Sequence, residues 1–149
     1  MKKTALAVFP TVGVFLAWVG LTAAQSLDEW LAPPQARLLR NPQGPTPDNL
    51  KKGRSVFVKN CITCHGEQGR GDGPSARLHA RRSGYAPRDL SRTDVQSGLT
   101  DGEMFWKISL GWKRQGRIVM PGLGEETPAD DRWRVVLYVR SLLEKDVRR

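Results

Sequence analysis

Two cysteines and a histidine fall within five consecutive residues, Cys61-Ile62-Thr63-Cys64-His65, and this spacing constrains the fold more than any other feature of the chain. The pattern C-x-x-C-H is typical of the covalent attachment of c-type haem. In such a site each thiol bonds to one vinyl group of the porphyrin, and the histidine that follows is an axial ligand of the iron. We therefore predict that Cys61 and Cys64 hold one haem c and that His65 binds its iron.

Three other kinds of site use the same residues. A disulfide exchange site normally lies in a βαβ unit, and no strand is predicted before Cys61. A tetrahedral zinc site needs a fourth ligand, but His79 is the only other histidine and the chain has only two cysteines. A plain structural disulfide would leave His65 without a role. The pattern favours haem over all three.

A helix is predicted to lead into this motif. Residues at three- and four-residue spacing from Leu50 to Cys61 define one helical face, and Asp48 is a plausible N-cap. Gly53 lies on that face, although glycine inside a helix costs about 1 kcal/mol relative to alanine. A close crossing by another helix would explain why glycine stands there.

The second axial ligand has three downstream candidates, which are His79, Met104 and Met120. Met104 follows a predicted capping box formed by Thr100 and Glu103 and shares a helix face with apolar neighbours, so core packing explains it better. His79 lies in a basic segment that is typical of a solvated surface.

Met120 is the predicted ligand. Pro121 and Gly122 follow it and enforce a non-helical loop, from which a thioether can approach iron on the side opposite His65. The alternative for Met120 is a side chain that only fills the core.

The C-terminal segment is predicted to be a helix. Thr127 is the expected N-cap and Pro128 the first helical residue. The negative charges of Asp130 and Asp131 interact favourably with the positive N-terminal end of the helix dipole. Trp133 begins a broad apolar face and is interpreted as a core residue.

The N-terminus has the pattern of an export segment. Lys2 and Lys3 precede an uncharged stretch, residues 4–27, with small residues around Ala24. This stretch is also close to the roughly 20 residues that span a bilayer. Residues 1–24 therefore fit a cleaved signal peptide and an uncleaved signal-anchor alike, and both export the rest of the chain to the periplasm. Five prolines predict a semi-rigid linker over residues 25–47, interpreted as a plain spacer, although Trp30, Leu31, Leu38 and Leu39 could pack onto the domain.

These motifs together resemble the class I cytochrome c family, from about Asp48 to Leu143. The resemblance rests on Gly53-x-x-x-Phe57-x-x-x-Cys61-x-x-Cys64-His65, on Met120-Pro121, and on a last helix with Trp133 and Tyr138. Two further runs are similar to small bacterial cytochrome c domains often joined to larger respiratory complexes: Gly71-Asp72-Gly73-Pro74 and Pro87-Arg88-Asp89-Leu90.

The resemblance implies an all-α cytochrome c fold of three to five helices wrapped around one covalent haem, in a domain over residues 48–147. It implies that the first and last helices cross, which would account for Gly53, and that the Pro74 carbonyl accepts a hydrogen bond from His65. His65/Met120 ligation would raise the reduction potential. Residues considered for the haem propionates, none of them favoured, are Arg77, Arg88, Trp112 and Lys113.

A six-coordinate haem has no open iron position, so the expected function is one-electron transfer rather than catalysis. The alternative is a haem-based sensor or a peroxidase-like enzyme with an open site.

The chain carries a net charge of +9, or +7 if cleavage removes Lys2 and Lys3. This charge predicts redox partners with acidic docking surfaces, but not nucleic acid, since the protein is expected to be exported. A membrane complex is a further expected partner.

Overall fold

The computed structural model describes residues 30–147, so the predicted signal or anchor segment, residues 1–24, lies outside the described residues. The helices are α1 (Pro34–Leu38), α2 (Pro47–Asn60), α3 (Ile62–His65), α4 (Ala76–Ser83), α5 (Thr93–Ser97), α6 (Asp101–Leu110) and α7 (Ala129–Val147). A hairpin of β1 (Trp112–Arg114) and β2 (Arg117–Met120) separates α6 from α7. Four helices have eight residues or more, α2, α4, α6 and α7, and the other three are short turns.

The helices α2 and α7 cross in close contact. A Cβ atom at Gly53 would lie 2.7 Å from the carbonyl carbon of Arg134 and 3.1 Å from Cβ of Tyr138. One turn further along α2, Phe57 is buried against Tyr138, with ring centroids 5.2 Å apart. The expectation that a close helix crossing explains Gly53 is confirmed.

Two helix starts differ from the sequence predictions by one or two residues. The N-cap of α2 is Thr46, whose hydroxyl accepts from the Asn49 amide at 3.2 Å. Asp48 lies in the first turn instead, because Pro47 has the fixed φ angle that suits the first helical position. Likewise α7 begins at Ala129 rather than at Pro128.

The buried core is formed by α2, α6 and α7. Met104, Ile108 and Trp133 belong to this buried cluster, which confirms Met104 and Trp133 as core residues. The predicted capping box of Thr100 and Glu103 is also present. It fixes the start of α6 and therefore the placement of Met104 one turn later.

The proline-rich segment packs against α6 from Trp30 onward. Ala36 is buried, and a Cβ atom at Gly102 would lie 2.8 Å from Cβ of Leu39. Further along, the side-chain amide of Asn41 donates to the backbone carbonyl of Trp133 at 3.1 Å. Leu38 stays exposed. The part of this segment that is described is therefore attached to the domain, while the boundary between linker and domain stays a prediction.

No helix within residues 30–147 is both long enough and apolar enough to cross a bilayer.

Candidate cofactor site

The two cysteines lie on one tight helical turn at the end of α2. The amides of Cys64 and His65 both donate to the Cys61 carbonyl, at 3.2 and 2.8 Å. Burial raises the pKa of the Cys61 thiol to about 12, with a smaller contribution from the neighbouring Cys64, whose own pKa is raised by burial. The two cysteines form no disulfide with each other. A disulfide exchange site depends on a lowered thiol pKa, so this environment does not favour one.

The ring of His65 is held by a backbone carbonyl. Its Nδ1 lies 3.1 Å from the carbonyl oxygen of Arg88. With the proton on Nδ1 donated to that oxygen, the lone pair is on Nε2, the nitrogen left to bind a metal. Burial lowers the pKa of His65, although the bond to Arg88 opposes this, and the lowered pKa favours the neutral imidazole that ligation requires.

The prediction that Pro74 supplies this carbonyl is wrong, because the glycine-rich loop brings a different segment to His65. The Gly71 amide donates to the His65 carbonyl at 2.8 Å, and Gly71 has a φ of +75°. A Cβ atom there would lie 3.2 Å from the Pro87 carbonyl carbon, so only glycine lets the segment before Arg88 approach so closely. The loop thus places the Arg88 carbonyl beside the imidazole.

Met120 is the last residue of β2 and is half-buried. It packs against the same buried cluster as Cys61, together with other partly buried apolar side chains: Val56, Leu90, Leu99, Phe105 and Leu123. One cysteine and the predicted thioether ligand thus each pack against the same buried cluster. The expected non-helical backbone at Met120 takes the form of a hairpin, whose turn contains Gln115 and Gly116 with φ angles of +48° and +74°.

The other candidate ligands have different surroundings. Met104 is buried in the core. The Nε2 of His79 lies 2.6 Å from the Val119 carbonyl oxygen. Within residues 30–147, no group of three or more His, Cys, Asp and Glu side chains is arranged to hold a metal ion.

Comparison with known proteins identifies the fold. The profile of the cytochrome c family matches residues 50–143. This chain belongs to the cytochrome c family. Its redox role and its covalently bound c-type haem, with iron, follow from that membership, and the helical architecture is the cytochrome c fold.

Among solved structures, one similar chain comes from the Kuenenia stuttgartiensis reducing HAO-like protein complex Kustc0457/Kustc0458. It is 27% identical with a TM-score of 0.56, and the match covers 70% of this cytochrome c chain and 49% of that chain. The present chain thus corresponds to about half the length of that neighbour. No curated protein matches the sequence significantly.

The donor set fits a haem c. Two thiols lie on one turn beside an imidazole whose ring is oriented by a hydrogen bond, and Cys61 and Met120 pack against a core bordered by incompletely buried apolar side chains. A flat apolar porphyrin suits such a surface, because it would cover the exposed parts of those side chains.

Sequence reasoning missed Gln96, a cytochrome c core residue that is only 1% exposed. Its side-chain amide donates to the backbone carbonyls of Leu90 and Val139, at 2.5 and 2.9 Å. The backbone carbonyl of Gln96 accepts a hydrogen bond from the Arg140 guanidinium at 2.9 Å. Gln96 thereby ties the segment after Arg88 to α7. No periodic pattern marks a polar residue that is buried by such bonds.

An aromatic cluster near α6 was also missed. Trp30 stacks on Trp112 with centroids 5.5 Å apart, and Tyr85 contacts Trp112 edge-on at 4.7 Å. Lys107 lies 4.2 Å from the centre of the Trp30 ring. The early tryptophan in the proline-rich segment was the available signal, and the cluster joins that segment to the hairpin of Met120.

Proposed function

We propose that the protein is a one-electron carrier in an exported respiratory electron-transfer chain. Cys61 and Cys64 form thioether bonds to a single haem, and His65 and Met120 are the axial ligands. The observation that carries the proposal is the hydrogen bond from His65 Nδ1 to the Arg88 carbonyl, 3.1 Å long. It orients the imidazole and leaves Nε2 for iron, while Met120 packs against the same buried cluster as Cys61.

The haem, when bound, supplies reversible one-electron chemistry. The chain's own residues keep the coordination fixed through that change. The Arg88 carbonyl fixes the tautomer of His65, and a thioether from Met120 favours the ferrous state. The apolar side chains around Met120 exclude water, which lowers the reorganisation that accompanies a change in iron charge.

The test of the ligand is Met120→Ala, measured by the methionine–iron charge-transfer band of the ferric protein. We expect the band to disappear and the reduced protein to bind carbon monoxide readily. Met104→Leu, which conserves the volume of a core methionine, is the control and should keep the band. A band that persists in Met120→Ala would show that another residue is the ligand, with Met104 the next candidate.

The alternative, a haem sensor or peroxidase-like enzyme, requires an open iron position. Ready binding of carbon monoxide to the folded, reduced wild-type protein would support it and contradict Met120 ligation. Haem staining of a denaturing gel and the intact mass check the covalent attachment and the single haem, because thioether-linked haem survives denaturation.

The proposed partners are redox proteins with acidic docking surfaces. The exposed arginines of α4, Arg77, Arg81 and Arg82, lie on a helix directly attached to the haem-binding turn. Electron-transfer rates with an acidic partner should fall as salt screens these charges. Arg81→Gln should lower the rate at low salt more than the control Arg92→Gln, since Arg92 is already paired with Asp94 at 2.7 Å. Equal effects would exclude α4 as the docking surface.

The carrier is proposed to act either as a periplasmic shuttle or as a tethered subunit of a larger redox complex. The neighbour from Kuenenia stuttgartiensis, a complex named for two proteins, supports the second form. N-terminal sequencing of membrane and soluble fractions decides between them. A mature protein that begins after Ala24 and is soluble supports the shuttle, and retention of Lys2 and Lys3 in membranes supports the tether.

A further inference from the structure

We propose that His79 is a positioning residue that holds the Met120 strand in place for the iron. This inference rests on the proposed ligation by Met120. His79 lies on α4, and its Nε2 is 2.6 Å from the carbonyl oxygen of Val119, the residue before Met120. The imidazole therefore donates a short hydrogen bond to the backbone directly beside the proposed ligand.

The hairpin needs this bond because its ladder is irregular at that point. Trp112 pairs with Met120 and Lys113 pairs with Ile118, so Val119 is an extra residue without a partner on β1. Such a bulge leaves one residue outside the ladder and redirects the strand. Val119 is nonetheless buried, at 9% exposure, and a buried carbonyl without a hydrogen bond is costly. His79 satisfies the carbonyl that the bulge releases.

The other end of this connection is the haem-binding turn. The Gly73 amide donates to the Cys64 carbonyl at 3.1 Å, and the Ser75 amide donates to the Thr63 carbonyl at 2.9 Å. The His79 amide in turn donates to the Ser75 carbonyl at 2.8 Å. A continuous series of hydrogen bonds thus runs from the turn that carries His65 to the strand that carries Met120.

The strand has a second attachment on the far side of Met120. The amides of Leu123 and Gly124 donate to the carbonyls of Ile108 and Ser109 at the end of α6, both at 2.9 Å. Met120 lies between this attachment and His79. Loss of the His79 bond would leave this segment attached through its irregular pairing with β1 and through the bonds at the end of α6, which would ease displacement of the thioether.

The experiment measures how easily exogenous imidazole displaces Met120 in the ferric holoprotein, by loss of the methionine–iron band. His79→Leu removes the donor and keeps an apolar side chain of similar size, whereas His79→Gln keeps an N–H donor. We expect imidazole to bind about fivefold more tightly to His79→Leu than to wild type, as expected for one hydrogen bond of about 1 kcal/mol. His79→Gln should recover at least half of that difference.

Leu78→Ala is the matched control, since Leu78 precedes His79 on α4 and its side chain is exposed. It should leave imidazole affinity unchanged. Equal imidazole affinity of His79→Leu and wild type, or failure of His79→Gln to restore it, would overturn the positioning role. A wild-type protein without the methionine–iron band would instead overturn the proposed ligation.

Nitrogen NMR of the ferrous wild-type holoprotein tests the same bond without a substitution. A proton on Nε2 of His79 supports the proposal. A proton on Nδ1 alone overturns it, because Nε2 could not then donate to Val119.

Discussion

Glu103 is a buried carboxylate that joins two separate segments of the chain. Its Oε2 accepts from the Thr100 amide at 2.8 Å, which closes the capping box of α6. Its Oε1 accepts from Nε of Arg37 on α1, also at 2.8 Å. Burial opposes ionisation of Glu103, but the Thr100 amide and the Arg37 guanidinium outweigh it, so the pKa of this carboxyl is lowered below its usual range.

This lowered pKa gives a pH dependence of stability. A carboxyl whose folded-state pKa lies below its unfolded-state value stabilises the fold at neutral pH, and that contribution is lost as the pH falls through the folded-state pKa. We expect Glu103→Gln to reduce the free energy of unfolding by about 1–2 kcal/mol at pH 7. At pH 3 the difference from wild type should be smaller. Urea unfolding at the two pH values measures this, and an equal difference at both would contradict it.

The capping box was predictable from the sequence, whereas the ion pair was not. Thr100 and Glu103 are three residues apart, and that spacing alone specifies a local motif. Arg37 is 66 residues away from Glu103 in the chain, and only the packing of α1 on α6 brings them together. The same contrast applies to His65: its motif is local, but its acceptor is a backbone carbonyl, which has no side-chain signature.

At the scale of elements, the crossing of α2 and α7 depends on a glycine. Gly53 permits it because α2 has no side chain where the backbone of α7 passes. We expect Gly53→Ala to lower the free energy of unfolding by about 1–3 kcal/mol, although alanine favours helices, because the methyl group overlaps the Arg134 carbonyl.

The control for this prediction is Gly98→Ala. Gly98 has a φ of −78°, and nothing lies within 4 Å of a Cβ atom built there. Its alanine variant should stay within about 0.5 kcal/mol of wild type in chemical unfolding. A Gly53→Ala protein as stable as this control would show that the helices separate without cost.

The hairpin marks the limit of what the pattern in the sequence could specify. Pro121 and Gly122 predict a break in helical structure at Met120, and the structure agrees. The bulge at Val119 and its bond to His79 depend on the register of two short strands and on α4, which no local pattern specifies. The non-helical backbone at Met120 could be predicted from its neighbours, but the bond from His79 that supports it could not.

At the scale of the whole molecule, the core offers apolar surface that a haem can cover. The buried cluster is bordered by apolar side chains that are only partly buried, including Cys61 and Met120. A bound group that covers them stabilises the folded state alone, by linkage.

Removal of the covalent haem tests this account. We expect Cys61→Ser combined with Cys64→Ser to lower the thermal midpoint by more than about 10 °C, which corresponds to a loss of about 2 kcal/mol in a domain of this size. Thr63→Ser, a change at the exposed residue between them, should keep the haem and the midpoint. An unchanged midpoint in the double variant would show that the chain completes its own core.

The attachment of Trp30 to α6 and the hairpin determines how far the domain could travel from a membrane. If residues 1–24 stay in the bilayer, only residues 25–29 remain between the anchor and Trp30, the first described residue that contacts the domain. Five residues extend at most about 18 Å, whereas a free linker over residues 25–47 would reach about 80 Å. Such a carrier would rotate close to the lipid surface. Its electron donors would need a cofactor exposed at the same short distance from the membrane.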